Sequence, residues 1–419
     1  MGSGLNKRKI LNDPVHGFIK LPSEFIYDLV EDPWFQRLRF IKQLGLTDMV
    51  YPGATHSRFL HSLGALFLMS QALGTLRTKG VDISDEEYEA ALIAILCHDL
   101  GHGPFSHSLE FNISGKIGHE DISLVIMNIL NEKYKGKLDT AIKIFSGEYH
   151  RMFFNDLVSS QIDMDRLDYL LRDSFYTGVI EGSVGSDRII SMLNISGGRL
   201  VVEDKGIYSI EKFLIARRFM YWQVYMHKTV LAADQMLKKI ISRARYLIAC
   251  GEEVCSTSPV DYFLRTKIKR KELEGGRDNE FAGMFFKLDD NELISSVRQW
   301  SENKDKILSD LAASFLFRRL PSIELSDKPF SGSLIDELAE ALRNAGDFRS
   351  EDTDYYIYTG CISNLTYAPS APSVRIMRRD GSLKELTEVS NILRHEALSK
   401  STKRYFLCFP KDLRDIIYK

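Results

Sequence analysis

The chain has 419 residues, more than a single hydrophobic core usually holds, so two domains or one large domain with additions are expected. Its hydrophobic content of 44% and charged content of 27% are ordinary for a globular protein, and its net charge of −2 gives no general attraction to nucleic acid or to an acidic membrane. The five scattered cysteines fit a reducing compartment, and neither a signal peptide nor an apolar run of about 18 residues is visible, so we expect a cytoplasmic protein without a membrane span.

The N-terminal part of the sequence predicts short elements followed by one long helix. Turn residues occupy positions 12–17, and residues 22–42 are predicted to be helical with an interruption at Pro33. A helix is predicted from Arg58 to about residue 77, and Arg58 shares a face with His61 because the two are three residues apart. The pair could clamp a phosphate beside a metal ligand, although this spacing alone favours a surface pair.

Residues 97–107 hold three histidines around a His-Asp pair. They follow a predicted helix that opens with a capping box at Ser84 and Glu87 and ends in an apolar run, residues 90–97, which leaves no face for water. A buried carboxylate is costly without a partner, and imidazole together with carboxylate suits Mn, Fe, Zn or Mg. The stretch therefore predicts a metal site rather than a simple helix end.

A charged helix is predicted over residues 161–173. On it Asp165, Asp168, Tyr169 and Arg172 form one stripe. The alternative is a solvated face on which Asp168 pairs with Arg172, worth a few tenths of a kcal/mol. That alternative does not explain why several carboxylates lie so near one another, since like charges repel unless a cation lies between them.

The next segments predict a β-hairpin over residues 197–210 and one long helix over residues 210–248. A cationic and aromatic stripe of that helix comprises Arg217, Tyr221, Tyr225 and Lys228. Such a stripe suits the stacking of a base and the binding of phosphates, and a packed helix with basic side chains at its edge is equally compatible. Beyond residue 250 the pattern is mixed, with strand-like runs at 355–361, 374–377 and 404–408, and no motif there predicts chemistry.

His61, His98-Asp99 and Asp165 together follow the order H…HD…D. On these residues, and on segments 12–17, 35–39, 51–64, 98–107, 163–173 and 225–228, the sequence resembles the HD-domain phosphohydrolases, most closely their deoxynucleoside triphosphate triphosphohydrolase branch. The resemblance implies a mostly α fold, with an HD-domain helical core and a smaller α+β C-terminal portion. Residues 5–250 would form the phosphohydrolase domain, and residues 251–419 an α+β region whose role is open, with oligomerisation as one candidate role.

The resemblance also implies roles for individual residues. The metal ligands would be His61, His98, Asp99 and Asp165. The catalytic residues would be His102, His119 and Glu110, the last standing where relatives often have Asp. The substrate contacts would be Arg58, Gln43, Leu44, Arg166, Tyr169, Asp173, Arg217 and Tyr225. The contacts to regulatory nucleotides would be Lys9, Asn12, Gln36, Arg39, His227 and Lys228.

The favoured function is metal-dependent hydrolysis of a deoxynucleoside triphosphate to deoxynucleoside and inorganic triphosphate. A homo-oligomer, either dimer or tetramer, that binds regulatory nucleotides is also implied. One alternative is HD hydrolysis of another nucleotide or phosphate ester. The other is a nucleotide-sensing protein with little turnover. The base preference, the native metal and the number of subunits stay open at this point.

Overall fold

The computed structural model describes residues 9–106, 117–268, 270–273, 279–346, 349–364, 373–390 and 402–417. Within these residues the protein is mostly helical, and the sheet-forming strands after residue 320 belong to a smaller C-terminal portion. This confirms the predicted fold class. Glu110, one of the predicted catalytic residues, lies outside the described residues.

The elements up to residue 250 include two hairpins and eleven labelled helices. They are β1 (Ile10–Asp13), β2 (Gly17–Lys20), α1 (Glu24–Val30), α2 (Pro33–Gln36), α3 (Arg58–Thr78), α4 (Asp85–Cys97), α5 (His119–Lys133), α6 (Asp139–Phe145), α7 (Phe153–Val158), α8 (Met164–Thr177), α9 (Ser186–Ser191), β3 (Leu193–Ser196), β4 (Arg199–Glu203), α10 (Ile207–Met220) and α11 (Lys228–Ala249).

The elements after residue 250 follow in the same way. They are α12 (Ser258–Arg265), α13 (Glu280–Lys287), α14 (Asp290–Trp300), α15 (Lys306–Leu316), β5 (Ser322–Ser326), α16 (Gly332–Ala345), β6 (Tyr358–Asn364), β7 (Arg375–Met377), β8 (Leu383–Glu385), α17 (Leu386–Val389), β9 (Thr402–Phe409) and α18 (Arg414–Ile417). Strand β9 lies between β5 and β6 in an antiparallel sheet, and β4 pairs in parallel with β7 to give the order β3-β4-β7-β8.

Helix α4 runs through the core, as its sequence predicts. Ser84 accepts the Glu87 N–H while the Glu87 carboxylate accepts the Ser84 N–H, so the predicted capping box is present. Every residue from Ala90 to Cys97 is buried. Burial on all sides fixes the end of this helix, and with it the position of the residues that follow.

Helix α3 packs against both α4 and α8. Its length and composition alone would suit a membrane span, which the sequence did not predict, but 67% of its apolar window is buried within the fold. The surrounding protein therefore covers most of that apolar surface. The short run Arg37–Phe40, a 3₁₀ turn directly after α2, lies against α3 as well.

Two predicted elements are corrected. The hairpin consists of β3 and β4, with Gly197 and Gly198 forming its turn rather than its first residues, because both glycines have positive φ. The predicted helix over 210–248 is broken: α10 ends at Met220, a π-helical segment spans Tyr221–Tyr225, and α11 starts at Lys228. Lys228 therefore does not continue the stripe of Arg217 and Tyr225.

The main hydrophobic core crosses residue 250, where the sequence predicted a change of domain. Phe263, Phe285 and Trp300 belong to the same buried cluster as the residues of α3 and α4. The sheet of β5, β9 and β6 has its own two small clusters. On one face it packs against Leu231 of α11, and on the other face against Leu338 of α16.

The close approach of α3 and α8 predicts the effect of a side chain at Gly64. A Cβ there would overlap the Asp168 carboxylate and the Arg172 guanidinium, so Gly64→Ala should destabilise the fold by about 1–3 kcal/mol. Gly74 lies on the same helix with open space around it, so Gly74→Ala should stabilise the fold by about 0.5–1 kcal/mol. Urea unfolding of both variants measures the difference, and equal effects would contradict this account of the packing.

Candidate functional site

Four side chains with metal-binding atoms converge where three helices begin or end. His61 lies in the first turn of α3, His98 and Asp99 directly follow α4, and Asp165 lies in the first turn of α8. His61 Nε2 is 3.1 Å from Asp165 Oδ1 and 3.7 Å from Asp99 Oδ2. His98 Nε2 is 3.2 Å from Asp99 Oδ1 and 3.6 Å from Asp165 Oδ1. The structure thus brings all the sequence-predicted metal ligands together.

The donor set of this cluster fits a divalent metal. The Nε2 atoms of His61 and His98 are buried and have no hydrogen-bond partner in the described part of the chain. An unsatisfied buried nitrogen is costly, and a metal ion is a partner that removes the cost. Two imidazoles with two carboxylates suit several divalent ions, so the donor set supports a divalent metal without identifying it.

The pKa shifts of the clustered side chains also indicate that positive charge belongs at this site. Burial alone lowers the pKa of His61, but the Asp165 and Asp168 carboxylates raise it to about 10. Burial raises the pKa of Asp165, but the neighbouring His61 and His98 lower it well below its usual value. The buried carboxylates are therefore stable only when positive charge lies at the centre of the cluster. Either protons on the histidines or a metal cation can supply that charge.

The orientation of His61 is fixed by Asp168. His61 Nδ1 lies 2.8 Å from Asp168 Oδ2, and an ionised carboxylate only accepts, so Nδ1 donates to Asp168 and Nε2 is the nitrogen that a metal would bind in place of a proton. His16 Nε2 donates to the other oxygen, Oδ1, at 2.6 Å. His98 is held similarly, because its Nδ1 lies 2.6 Å from the Ile95 carbonyl oxygen.

The Asp168 carboxylate is itself anchored to the N-terminal hairpin. Arg172 donates to it through Nε at 2.8 Å and Nη2 at 2.9 Å, and reaches Asp13 Oδ2 through Nη1 at 2.7 Å. The other oxygen of Asp13 accepts the N–H groups of Val15 and His16. The Asp168–Arg172 pair is fully buried, so its interpretation as a solvated pair is wrong.

A turn after α4 carries His102 to the edge of the cluster. Its Nδ1 lies 3.2 Å from Asp99 Oδ1, and its ring stacks on that of His119 with centroids 4.0 Å apart. Burial and the nearby Arg58 and His119 lower the pKa of His102 well below its usual value. Arg58 Nη1 lies 2.5 Å from Asp99 Oδ2, so a cation and two stacked imidazoles border the metal ligands.

A group of tyrosines and arginines adjoins the cluster. The Tyr225 hydroxyl donates to Asp173 Oδ2 at 2.7 Å, and the ring of Tyr169 lies edge-on to that of Tyr225. Arg217 and Arg166 both lower the pKa of Tyr169 electrostatically, against the larger effect of burial, which raises it. The predicted contacts at 166, 169, 173, 217 and 225 thus lie in one neighbourhood.

The remaining predicted substrate contacts line the loop before α3. The backbone N–H of Gln43 donates to the His56 carbonyl, and the side chain of Leu44 packs against the main core. The Oε1 of Gln43 and the Nε of Arg166 are buried without a hydrogen-bond partner in the described residues. These two unsatisfied atoms are available to a ligand.

The predicted regulatory residues fall into two groups. Lys9 pairs with Glu31 at 3.3 Å, Arg39 donates to Gln36 at 2.6 Å, and Gln36 donates to the Val30 carbonyl, so these residues lie near the end of α1. Asn12 lies on β1 in the adjacent hairpin. His227 caps α11 by accepting the Thr229 N–H, and Lys228 follows it.

Sequence reasoning missed several residues of the site. Asp13, His16 and His56 lie in segments that carry the resemblance but were given no role of their own, although His56 Nε2 donates to Asp173 Oδ1 at 2.8 Å. Gln161, which accepts from Arg217, was not singled out either. The available signal was the number of polar residues in these segments, which does not reveal partners that lie 56 to 159 residues away.

Comparisons with known proteins agree with the geometry. Residues 58–172 match the HD domain, and residues 184–253 match the HD associated region. The Bacillus subtilis protein YwfO is 33% identical over 98% of this chain and 94% of its own length. The deoxynucleoside triphosphate triphosphohydrolase SAMHD1 homolog of Dictyostelium discoideum is 32% identical over 60% of this chain, which spans 52% of that protein. The crystal structure of a phosphohydrolase from Bacteroides thetaiotaomicron has a TM-score of 0.92 and 45% identity, covering 97% of this chain and all, 100%, of that one.

The role of Asp168 behind His61 can be tested by metal binding. Asp168→Asn replaces one acceptor oxygen by a donor group, so it cannot orient both His61 and His16, and the affinity for Mn²⁺ should fall by about 10- to 100-fold. Titration calorimetry of the metal-free protein measures this, with urea unfolding to account for any lost stability. Asp261→Asn, which breaks an exposed pair with Arg265, is the control and should bind the metal normally. Wild-type affinity in Asp168→Asn would refute the assignment.

Proposed function

Because the chain belongs to the HD-domain phosphohydrolases, we propose that it hydrolyses deoxynucleoside triphosphates to a deoxynucleoside and inorganic triphosphate. One observation carries the proposal. The convergent metal-binding atoms adjoin a group of side chains in which arginines, tyrosines and unsatisfied polar atoms lie together. The Dictyostelium relative, named for this reaction, supports the choice of substrate.

The metal site supplies the electrophilic part of the reaction. A divalent metal held by His61, His98, Asp99 and Asp165 would lower the pKa of a water molecule towards neutrality and polarise a phosphoryl oxygen. The buried network of Asp168 and its partners keeps the lone pair of His61 directed at that ion.

The side chains around the metal site have two further roles, charge neutralisation and proton transfer. Arg58, Arg166 and Arg217 offset the negative charge of the triphosphate. The O5′ of the departing deoxynucleoside needs a proton, and the stacked pair of His102 and His119 is placed to hold and transfer one. Burial and the neighbouring Arg58 and His119 lower the pKa of His102 well below its usual value, which favours its neutral imidazole.

The side chains around Tyr225 and Asp173 bind the nucleoside. Tyr225 and Asp173 form a hydrogen-bonded pair, and His56 holds the second oxygen of Asp173, so this carboxylate has a fixed direction. A fixed carboxylate suits a sugar hydroxyl as donor, and the ring of Tyr169 offers a face for stacking or packing. Gln43 Oε1 is an additional unsatisfied acceptor.

The identity of the products tests the proposal. Purified protein incubated with each deoxynucleoside triphosphate and Mn²⁺ or Mg²⁺ should release deoxynucleoside and inorganic triphosphate, resolved by ion-exchange chromatography. Asp165→Ala should lose metal and turnover together by orders of magnitude, because it removes an anionic ligand. His119→Ala should keep the metal and lower kcat by about 100- to 10,000-fold, because it removes a proton-transfer partner.

Two outcomes would contradict the proposal. Release of pyrophosphate with a nucleoside monophosphate would show cleavage at a different bond. Absence of turnover with all four substrates, together with metal-dependent hydrolysis of bis(4-nitrophenyl) phosphate, would indicate a phosphohydrolase acting on another phosphate ester. Full activity in Asp165→Ala would remove that residue from the metal site.

We also propose that nucleotides regulate this activity in a homo-oligomer, through Lys9, Asn12, Gln36 and Arg39. The exposed Arg39 is held by Gln36 and lies over the Phe59 ring at 3.6 Å, so its guanidinium has a defined position for a base edge or a phosphate. His227 and Lys228 would form a second set of contacts at the start of α11. Nucleotide bound between subunits would stabilise the assembled form by linkage.

Regulation predicts a cooperative response that depends on Arg39. Wild-type activity should rise sigmoidally with added nucleotide, and Arg39→Ala should flatten this response while metal binding is unchanged. Light scattering with and without GTP and deoxynucleoside triphosphates should show nucleotide-dependent growth of the wild-type oligomer. Arg265→Ala, at another exposed arginine, is the control. Hyperbolic kinetics and a constant oligomer in the wild type would refute regulation without affecting the catalytic proposal.

A further inference from the structure

The turn that carries His102 is held from outside by a segment beyond residue 250. The buried Arg37 guanidinium donates through Nη1 to the His102 carbonyl oxygen at 3.0 Å, and through Nη2 to the Leu288 carbonyl oxygen at 2.6 Å. Its planar group lies over the Phe285 ring at 4.4 Å. One cation therefore links the start of the turn to the connection between α13 and α14.

The end of the same turn is held by Asp290. The backbone N–H of Phe105 donates to Asp290 Oδ1 at 2.8 Å, and the N–H of Lys42 donates to Asp290 Oδ2 at 3.0 Å. Both Phe105 and Ser106 have positive φ, 52° and 54°. For residues other than glycine this conformation is strained and persists only when neighbouring groups impose it.

The Asp290 carboxylate is available for this contact because Asp289 caps the helix. Asp289 accepts the N–H groups of Asn291 and Glu292, which leaves the next carboxylate free to face the turn. The Asp290 side chain is buried, where a carboxylate is costly unless it is hydrogen-bonded. Both of its oxygens are used, each by a backbone N–H of the catalytic half of the chain.

The two backbone groups bound by Asp290 lead directly to site residues. Lys42 precedes Gln43 and Leu44, the predicted substrate contacts. Phe105 precedes Ser106, whose hydroxyl accepts from Arg58 Nε at 2.8 Å and donates to the Lys42 carbonyl oxygen at 2.8 Å. The turn and the substrate loop are thus joined twice, once through Ser106 and once through Asp290.

We propose that Asp290, which lies outside the HD domain match, is a positioning residue that holds the His102 turn and the Gln43 loop in register for hydrolysis. The part of this inference that concerns turnover rests on the proposed function. The part that concerns the backbone does not, because it predicts protected amides at Phe105 and Lys42 whatever the substrate is.

The test uses Asp290→Asn in the full-length protein, with Asp289→Asn as the matched control. An asparagine at 290 can accept only one of the two N–H groups and presents a donor to the other, whereas asparagine at 289 caps a helix as well as aspartate does. We expect Asp290→Asn to lower kcat for the preferred deoxynucleoside triphosphate by about 10- to 100-fold, as small misplacements of reacting groups do. Mn²⁺ affinity should stay at the wild-type value, since His98 is held by Ile95.

Hydrogen–deuterium exchange of the same variants gives a readout that does not need turnover. Peptides covering 98–106 and 40–44 should exchange faster in Asp290→Asn than in the wild type or in Asp289→Asn, while α14 stays protected. Should Asp290→Asn fold poorly, Asp290→Ser removes the carboxylate with a smaller side chain and takes its place.

Three results would overturn the inference: unchanged exchange in both peptides, faster exchange with unchanged kcat, or a loss of kcat that is matched by loss of metal or by the Asp289→Asn control. If the wild type hydrolyses no deoxynucleoside triphosphate, the proposed function fails by itself. In that case faster exchange in Asp290→Asn still supports the positioning role, and unchanged exchange still refutes it.

Discussion

A single buried carboxylate, that of Asp168, determines how the candidate metal centre is built. Both of its oxygens are shared among His61, His16 and Arg172, and a buried anion is tolerated only when its partners are complete. The same group needs space against α3, which Gly64 provides by lacking a Cβ. The position of this one carboxylate therefore sets three features together: the orientation of His61, the packing of α3 against α8 and the attachment of the N-terminal hairpin.

The site draws on more of the chain than the residues that match the HD domain, 58–172. Asp13 precedes that range, and Tyr225 and Asp290 follow it. The main hydrophobic cluster extends beyond that range as well, from the first hairpin to α17. The protein surrounding the HD helices thus contributes hydrogen-bond partners to the candidate site as well as apolar contacts, which gives the segment beyond residue 250 a physical connection to the turn that carries His102.

Local patterns in the sequence predicted the parts of the site that depend on local structure. The capping box at Ser84 and the apolar run of α4 placed His98 and Asp99 at the end of a buried helix, because helix caps and periodicity involve neighbouring residues. The contacts of His16 with Asp168 and of Asp290 with Phe105 join residues 152 and 185 positions apart. Nothing in either local sequence identifies such a partner.

The break between α10 and α11, near Tyr225, is a local feature that the sequence pattern also did not predict. Apolar periodicity continues through residues 221–225, so it predicted an unbroken helix, whereas a π-helical segment forms there instead. Such segments leave carbonyl groups without their usual partner, and here Tyr51 donates to the Gln223 carbonyl at 2.7 Å. With the break satisfied in this way, the Tyr225 hydroxyl reaches Asp173. The contact between Tyr225 and Asp173 thus lies at an irregularity in which a distant tyrosine satisfies a backbone carbonyl, and this is where reasoning from sequence periodicity fails.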